Sequence, residues 1–254
     1  MTLDADLAAL ARTATLLVAL DFDGTLAPLQ DEPMRSRMLP EARTALDRLA
    51  ALPETAVALV SGRTLAHLAE ISEHSADSRI HLAGSHGAEF WHPDDPGDES
   101  APEDTTLRDA LTHRAEGIVE PLEGAWIEPK IFGFGLHTRL AADADAVAAT
   151  TAIDALVAEE APTWRRRVGQ DILEFASRQE GKDSAVRALR DRVGATAVLF
   201  AGDDVTDEDA LAALEPQDLG IRVGAGETAA RQRVPDAAAL AAALTRLAEL
   251  RGAR

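Results

Sequence analysis

Asp21 and Asp23 stand two residues apart in Asp21-Phe22-Asp23-Gly24-Thr25, directly after the apolar run Leu16 to Leu20. In an extended chain residues i and i+2 point the same way, so both carboxylates project from one strand end. Like charges that close raise each other's pKa unless a cation holds them. The pair suits a division of roles, in which one carboxylate, clamped by a hard divalent ion, attacks an electrophile, while the other protonates the leaving oxygen and then activates water. Gly24 lets the backbone turn so that amides reach an anion. An Asp-Gly turn closing a strand accounts for the same letters without chemistry.

A second acidic group, Gly202-Asp203-Asp204-Val205-Thr206-Asp207-Glu208-Asp209, follows the apolar run Ala197 to Ala201. Asp207, Glu208 and Asp209 fall in a helix first turn, where dipole compensation or capping explains acids without function. Asp203 and Asp204 precede that turn and offer the oxygen ligands that Mg²⁺ prefers. Ser61-Gly62-Arg63 closes the run Val57 to Val60 and opens a helix, so Ser61 reads either as an N-cap or as a holder of phosphate oxygens. Lys182 precedes the helical stretch Asp183 to Val193, where a cation opposes the dipole unless an anion lies beside it; a solvated lysine is the other reading. His86, between Ser85 and Gly87, reads as a turn residue or a site residue. Glu128 and Lys130 share a face, as do His137 and Arg139, and Glu89 and Glu174 are placed alike. Such faces are either the solvent side of a hairpin or an array suited to a polyhydroxylated ligand.

The elements that must position these residues alternate. Strand-like Leu16 to Leu20, Val57 to Val60 and Ile80 to Ala83 are separated by helix-like Glu41 to Leu52 and Thr64 to Ile71, and the order returns with Asp183 to Val193, Ala197 to Ala201, Asp207 to Leu214, Gly220 to Val223 and Ala237 to Leu250. Short continuous apolar strands between helices predict an α/β fold, a Rossmann-like parallel sheet buried on both faces, with ligands beyond the strand C-termini. Between them, the Pro/Asp/Glu/Gly tract His92 to Thr106 reads as an exposed loop. Helix-like Leu107 to Ile118 and Asp143 to Glu159, with extended Trp126 to Lys130, Phe134 to Leu140 and Trp164 to Ala176, make an inserted α+β unit. The expected division is a core of 1–104 and 178–254 with an inserted cap domain over 105–177.

The chain has 254 residues, 46% of them hydrophobic, enough for a real core. Its 25 Lys plus Arg against 44 Asp plus Glu give a net charge of −19, which argues against nucleic acid and anionic membranes as partners. No cysteine excludes disulfides and thiolate-ligated metals, and fits a reducing compartment. Without a basic, apolar leader in Met1 to Arg12, the expected location is cytoplasmic.

Taken together, Asp21-Phe22-Asp23-Gly24-Thr25-Leu26, Ser61-Gly62-Arg63, Lys182 and the motif from Gly202 to Ala210 occur in the order of the haloacid dehalogenase superfamily, which the chain resembles. More narrowly, Gly84-Ser85-His86-Gly87-Ala88-Glu89, Glu128-Pro129-Lys130, His137-Thr138-Arg139 and Gly224-Ala225-Gly226-Glu227-Thr228-Ala229-Ala230 look like the trehalose-6-phosphate phosphatases. The resemblance implies Mg²⁺-dependent hydrolysis of a small-molecule sugar phosphate through an aspartyl-phosphate. In it Asp21 would be the nucleophile and Asp23 the general acid and base. Thr25, Ser61 and Lys182 would hold the phosphate, with Arg63 supporting the Ser61 loop or the substrate. Mg²⁺ would take oxygens from Asp21, Asp203 and the Asp23 carbonyl, with Asp204 in or next to the set and Asp207 nearby. Glu128, Lys130 and Glu174 would read sugar hydroxyls from a cap that closes over the site. A phosphatase for a glucosylglycerate or sucrose phosphate fits the same motifs. A non-catalytic receiver-like or sugar-phosphate-binding protein fits worse, because a receiver has no use for Asp23 and no catalytic position is missing.

Overall fold

The computed structural model describes residues 2–30, 32–95, 105–169 and 171–253. The chain divides into two compact units, one of Met1–Glu99 and Glu180–Arg254, the other of Ser100–Gln179.

The first unit is a seven-stranded sheet in the order β11-β10-β9-β1-β2-β3-β4. Its strands are β1 (Leu16–Leu20), β2 (Thr55–Val60), β3 (Ile80–Gly84), β4 (Glu89–Trp91), β9 (Ala197–Gly202), β10 (Leu219–Val223) and β11 (Gln232–Val234). Every residue of β1, β3, β9 and β10 is buried. The reason is two-sided packing. Leu16, Val18, Leu20, Leu59 and Leu199 face one core with helices α1 (Leu3–Leu10), α2 (Pro40–Ala50) and α8 (Ala237–Gly252). Leu17, Ala19, Val60, Val198 and Phe200 face a second core with α6 (Lys182–Val193) and α7 (Val205–Ala212). Helix α3 (Leu65–Ile71) joins the first core.

The sheet is not wholly parallel, as the alternation alone implies: β4 returns antiparallel to β3, pairing Leu82 with Trp91 and Gly84 with Glu89. A connection this short can only reverse direction. β1 lies between β2 and β9, parallel to both, so chain order reverses there and opens a crevice beyond its C-terminus. The His92 to Thr106 tract lies largely outside the described residues, which omit 96–104.

The second unit is a four-stranded antiparallel sheet in the order β5-β6-β8-β7, with β5 (Trp126–Lys130), β6 (Gly133–His137), β7 (Arg165–Gly169) and β8 (Ile172–Ala176). The extended stretch Trp164 to Ala176 is therefore a hairpin rather than one strand. Helices α4 (Thr106–Val119) and α5 (Asp143–Glu160) cover one face, burying Ile127, Phe134, Leu136, Leu173 and Phe175 against Leu111, Ala115, Ile153 and Leu156. Glu128, Lys130, His137 and Glu174 alternate onto the other face. Among the described residues no helix is long and apolar enough to cross a membrane.

Phe134, fully buried and in contact with the Phe175 and Trp164 rings, anchors this second core. Phe134→Ala is expected to cost the unit about 3–5 kcal/mol, read by urea unfolding.

Candidate active site

Asp21, Ser61, Ser85 and Asp203 follow or close the C-terminal ends of β1, β2, β3 and β9, four neighbouring strands. Asp21 continues the β1 ladder, its amide donating to the Ala201 carbonyl at 3.0 Å. Lys182 is not the solvated residue that one reading of the sequence allows. It opens α6 only 3% exposed, and its Nζ lies 2.6 Å from Asp21 Oδ1 and 2.6 Å from Asp207 Oδ1. Nor does Asp207 only compensate a dipole. Wholly buried, it accepts from Lys182 with one oxygen and from the Asp203 and Asp204 amides with the other, at 3.0 and 2.9 Å, tying the motif's turn to α6.

Asp21, Asp203 and Asp207 present carboxylate oxygens within 4.8 Å of one another, the group of metal-ligating character found among the described residues. Burial pushes the Asp21 carboxyl well above the usual range, against the pull of Lys182, and the Asp207 and Asp203 charges add to the rise. Asp203 is raised to about 6, mainly by burial, with the Thr25 hydroxyl, donating at 2.9 Å, opposing. Burial works against the Lys182 charge, but Asp207 and Asp21 override it and raise its pKa. One ammonium thus serves three carboxylates. With all three ionised the cluster lacks two positive charges and offers only oxygen donors, which fits a hard dication.

The close approach depends on glycines. A Cβ on Gly24, whose φ is +76°, would lie 2.0 Å from Asp203 Oδ2, and one on Gly202 would lie 2.2 Å from Asp207 Cγ. The side chain of Asp23 is elsewhere: it forms a bidentate ion pair with Arg63, at 2.5 Å to Nε and 2.9 Å to Nη2. Arg63 also donates to the Pro33 carbonyl at 2.9 Å. Asp204 precedes α7 as its N-cap and stands outside the acidic cluster. Thr64, not Ser61, caps α3, accepting from the His67 amide. Ser61 is therefore a buried residue without the capping duty that would explain it, its Oγ accepting from the Arg63 amide at 3.2 Å. The His86 ring, also buried, lies over Gly62, where a Cβ would come within 2.7 Å of it.

In the second unit, Glu128, Gly135 and Glu174 form one row across β5, β6 and β8. Gly135 leaves a hollow that Lys130 crosses to pair with Glu174, while His137 Nε2 and Glu128 Oε2 share a hydrogen bond at 2.8 Å. Trp126, 39% exposed, stacks in parallel on His137 with ring centres 4.5 Å apart. Paired acids, a lysine and an exposed indole suit a ligand with many hydroxyls. Strand β6 ends at His137, so Arg139 falls in the following turn and the expected alternation stops one step short. Glu89, grouped with Glu174 by sequence, belongs to the first unit.

Titration of the acidic cluster is testable without a substrate. A carboxyl raised in the folded state contributes stability that is present below its unfolded pKa and lost as pH rises through its folded value. In EDTA, Asp203→Asn is expected to gain stability relative to wild type as pH rises from about 4 through about 6. The difference between the two denaturation series isolates this, because His81, held down to about 4 chiefly by burial, acts in the opposite sense in both.

The sequence pattern of the trehalose-phosphatase family matches residues 19–240. A bifunctional trehalose-6-phosphate synthase/phosphatase of Thermoproteus tenax is 30% identical over 239 residues, covering 93% of this chain and 32% of that protein. A trehalose-phosphate phosphatase of Mycobacterium marinum is 31% identical over 214 residues, covering 81% of this chain and 53% of that one. This chain therefore spans about a third and about half of the length of these two relatives. The C-terminal domain of a C. albicans trehalose-6-phosphate phosphatase shares the fold with a TM-score of 0.83 at 18% identity, over 98% of this chain and 97% of that one. A match running from β1 into α8 takes in the acidic cluster, Lys182 and the polar sheet face alike, and the chain therefore belongs to the trehalose-phosphatase family.

Proposed function

We propose that the protein hydrolyses trehalose 6-phosphate to trehalose and phosphate. The observation that carries this reading is the buried Asp21, held by Lys182 at a strand end where chain order reverses, with a second carboxylate two residues on. Family membership supports this choice of substrate.

In this reading an Asp21 oxygen attacks phosphorus as the bond to the sugar C6 oxygen breaks, and Asp23 delivers a proton to that oxygen. Asp23 then takes a proton from water, which attacks the aspartyl-phosphate; the Asp21–phosphorus bond breaks and phosphate is released. Lys182, Thr25 and Ser61 hold the phosphoryl oxygens. Arg63 keeps the Asp23 carboxylate fixed until substrate arrives, and the pair must open before Asp23 can act as an acid. His86 borders the Ser61 loop and acts with it. Mg²⁺ on Asp21 and Asp203, with the Asp23 carbonyl as a further oxygen and Asp204 in or next to the set, would neutralise phosphate charge and make phosphorus more electrophilic. Asp207 supports that set by orienting Lys182 and the amides of Asp203 and Asp204. The inserted unit, as a cap domain, reads the disaccharide through Glu128, Lys130 and Glu174. The absence of a long apolar helix among the described residues and the charge of −19 fit a cytoplasmic, metabolite-directed enzyme.

The test is phosphate release from a panel of sugar phosphates, with Mg²⁺ or EDTA. EDTA-sensitive release from trehalose 6-phosphate is expected, lowered at least about 10³-fold in Asp21→Asn and about 10²- to 10⁴-fold in Asp23→Asn. Lys130→Ala is expected to raise KM for trehalose 6-phosphate more than it lowers kcat. Preference for another sugar phosphate would keep the mechanism and change the substrate; no release from any would overturn the reading.

A further inference from the structure

Ser85, His86 and Gly87 are three consecutive residues with positive φ, at 47°, 57° and 98°. For serine and histidine this is an unfavourable conformation that surrounding contacts must maintain. The contacts are specific. The Ser85 amide donates to the Arg63 carbonyl at 2.6 Å and the His86 amide to the Ser61 carbonyl at 2.9 Å, so the strained turn grips the Ser61-Gly62-Arg63 loop at both ends. Gly84 lets the chain beginning α3 pass close by, since a Cβ there would lie 2.5 Å from the Leu65 nitrogen.

One side chain closes this arrangement. Glu89, buried at the start of β4, accepts with a single carboxylate oxygen from the Leu65 amide at 3.2 Å and from the Ser85 hydroxyl. It thereby joins the segment after the loop to the turn that grips the loop. It lies in the first unit, bonded to the Leu65 amide and the Ser85 hydroxyl, whereas Glu174 stands on the sheet of the second.

We propose that Glu89 is a positioning residue for phosphate binding: its carboxylate holds the strained 85–87 turn in place, and through that turn the Ser61 hydroxyl and the Arg63 guanidinium. The inference rests on the reading of Ser61 as a phosphate-binding residue, and Glu89 itself touches neither phosphate nor sugar. Glutamine keeps one oxygen for the Leu65 amide but loses the carboxylate charge, whereas alanine frees both partners. Removing the Ser85 hydroxyl breaks only the turn's half of the clamp.

The experiment compares wild type with Glu89→Ala, Glu89→Gln and Ser85→Ala, using inorganic phosphate as the probe. In Glu89→Ala, kcat/KM is expected to fall about 10- to 100-fold and the inhibition constant for phosphate to rise by a similar factor, with Glu89→Gln intermediate. The rise in Tm given by Mg²⁺ is expected to be unchanged, because the acidic cluster stands beyond the ends of β1 and β9 and on α7, away from the 85–87 turn. Hydrogen exchange at the Leu65, Ser85 and His86 amides is expected to quicken relative to β1 amides. Unchanged phosphate affinity and unchanged exchange would overturn the inference, as would a parallel loss of the Mg²⁺ effect, the mark of general unfolding. Should Glu89→Ala fail to fold, Glu89→Gln and Ser85→Ala give the same readouts. A wild type that releases no phosphate would overturn the functional reading instead, and exchange at the three amides would still decide whether Glu89 holds the turn.

Discussion

A single buried ammonium shared by a carboxylate at a strand end and one in a helix first turn is the constraint on which the site depends. Lys182 touches Asp21 and Asp207 at 2.6 Å, in a setting where desolvation penalises every charge present. Breaking such a pair leaves an uncompensated buried charge, at a cost of about 3–5 kcal/mol, whereas keeping it adds little net stability. The arrangement is therefore poorly explained as a stabilising device. It fits a site kept short of positive charge, which under the proposed function a dication would complete.

The fold delivers this strain to one place. The reversal of chain order beside β1 leaves a crevice beyond its end, and the helix that carries Lys182 packs over the same strands. Gly24 and Gly202 remove the side chains that would separate Asp203 and Asp207 from their neighbours. At the next strands outward the same logic continues in the backbone, where amides of a left-handed turn fasten the Ser61 loop. On the polar sheet face of the inserted unit, Gly135 leaves room for Lys130 to reach Glu174, and His137 and Glu128 share a hydrogen bond; under the proposed function these are the groups that meet sugar hydroxyls.

Much of this is legible in the sequence because the period of apolar residues is a strong signal. Strands β1, β2, β3, β9 and β10 are mostly apolar runs, and candidate site residues stand at the ends of β1, β2, β3 and β9. The short strands β4 and β11, three residues each, carry no such period. The role of Asp207 is masked because an acid in a helix first turn is ordinary; the neighbouring Gly202, with no room for a Cβ, is the trace it leaves. Glu89 resembles a sugar-reading acid because strand alternation fixes a face but not the element that faces it. The polar face of the inserted sheet is visible in the letters, but β6 ends before Arg139, since turn residues obey local geometry rather than period.

The most direct test of the electrostatic account is a double-mutant cycle on Lys182 and Asp207, followed by urea unfolding in EDTA. Lys182→Met alone is expected to cost about 3–5 kcal/mol, and Asp207→Asn on that background to recover part of the loss, because it removes a carboxylate left without its partner. Effects that add within about 0.5 kcal/mol would contradict the account, showing that the lysine and the carboxylate do not depend on each other.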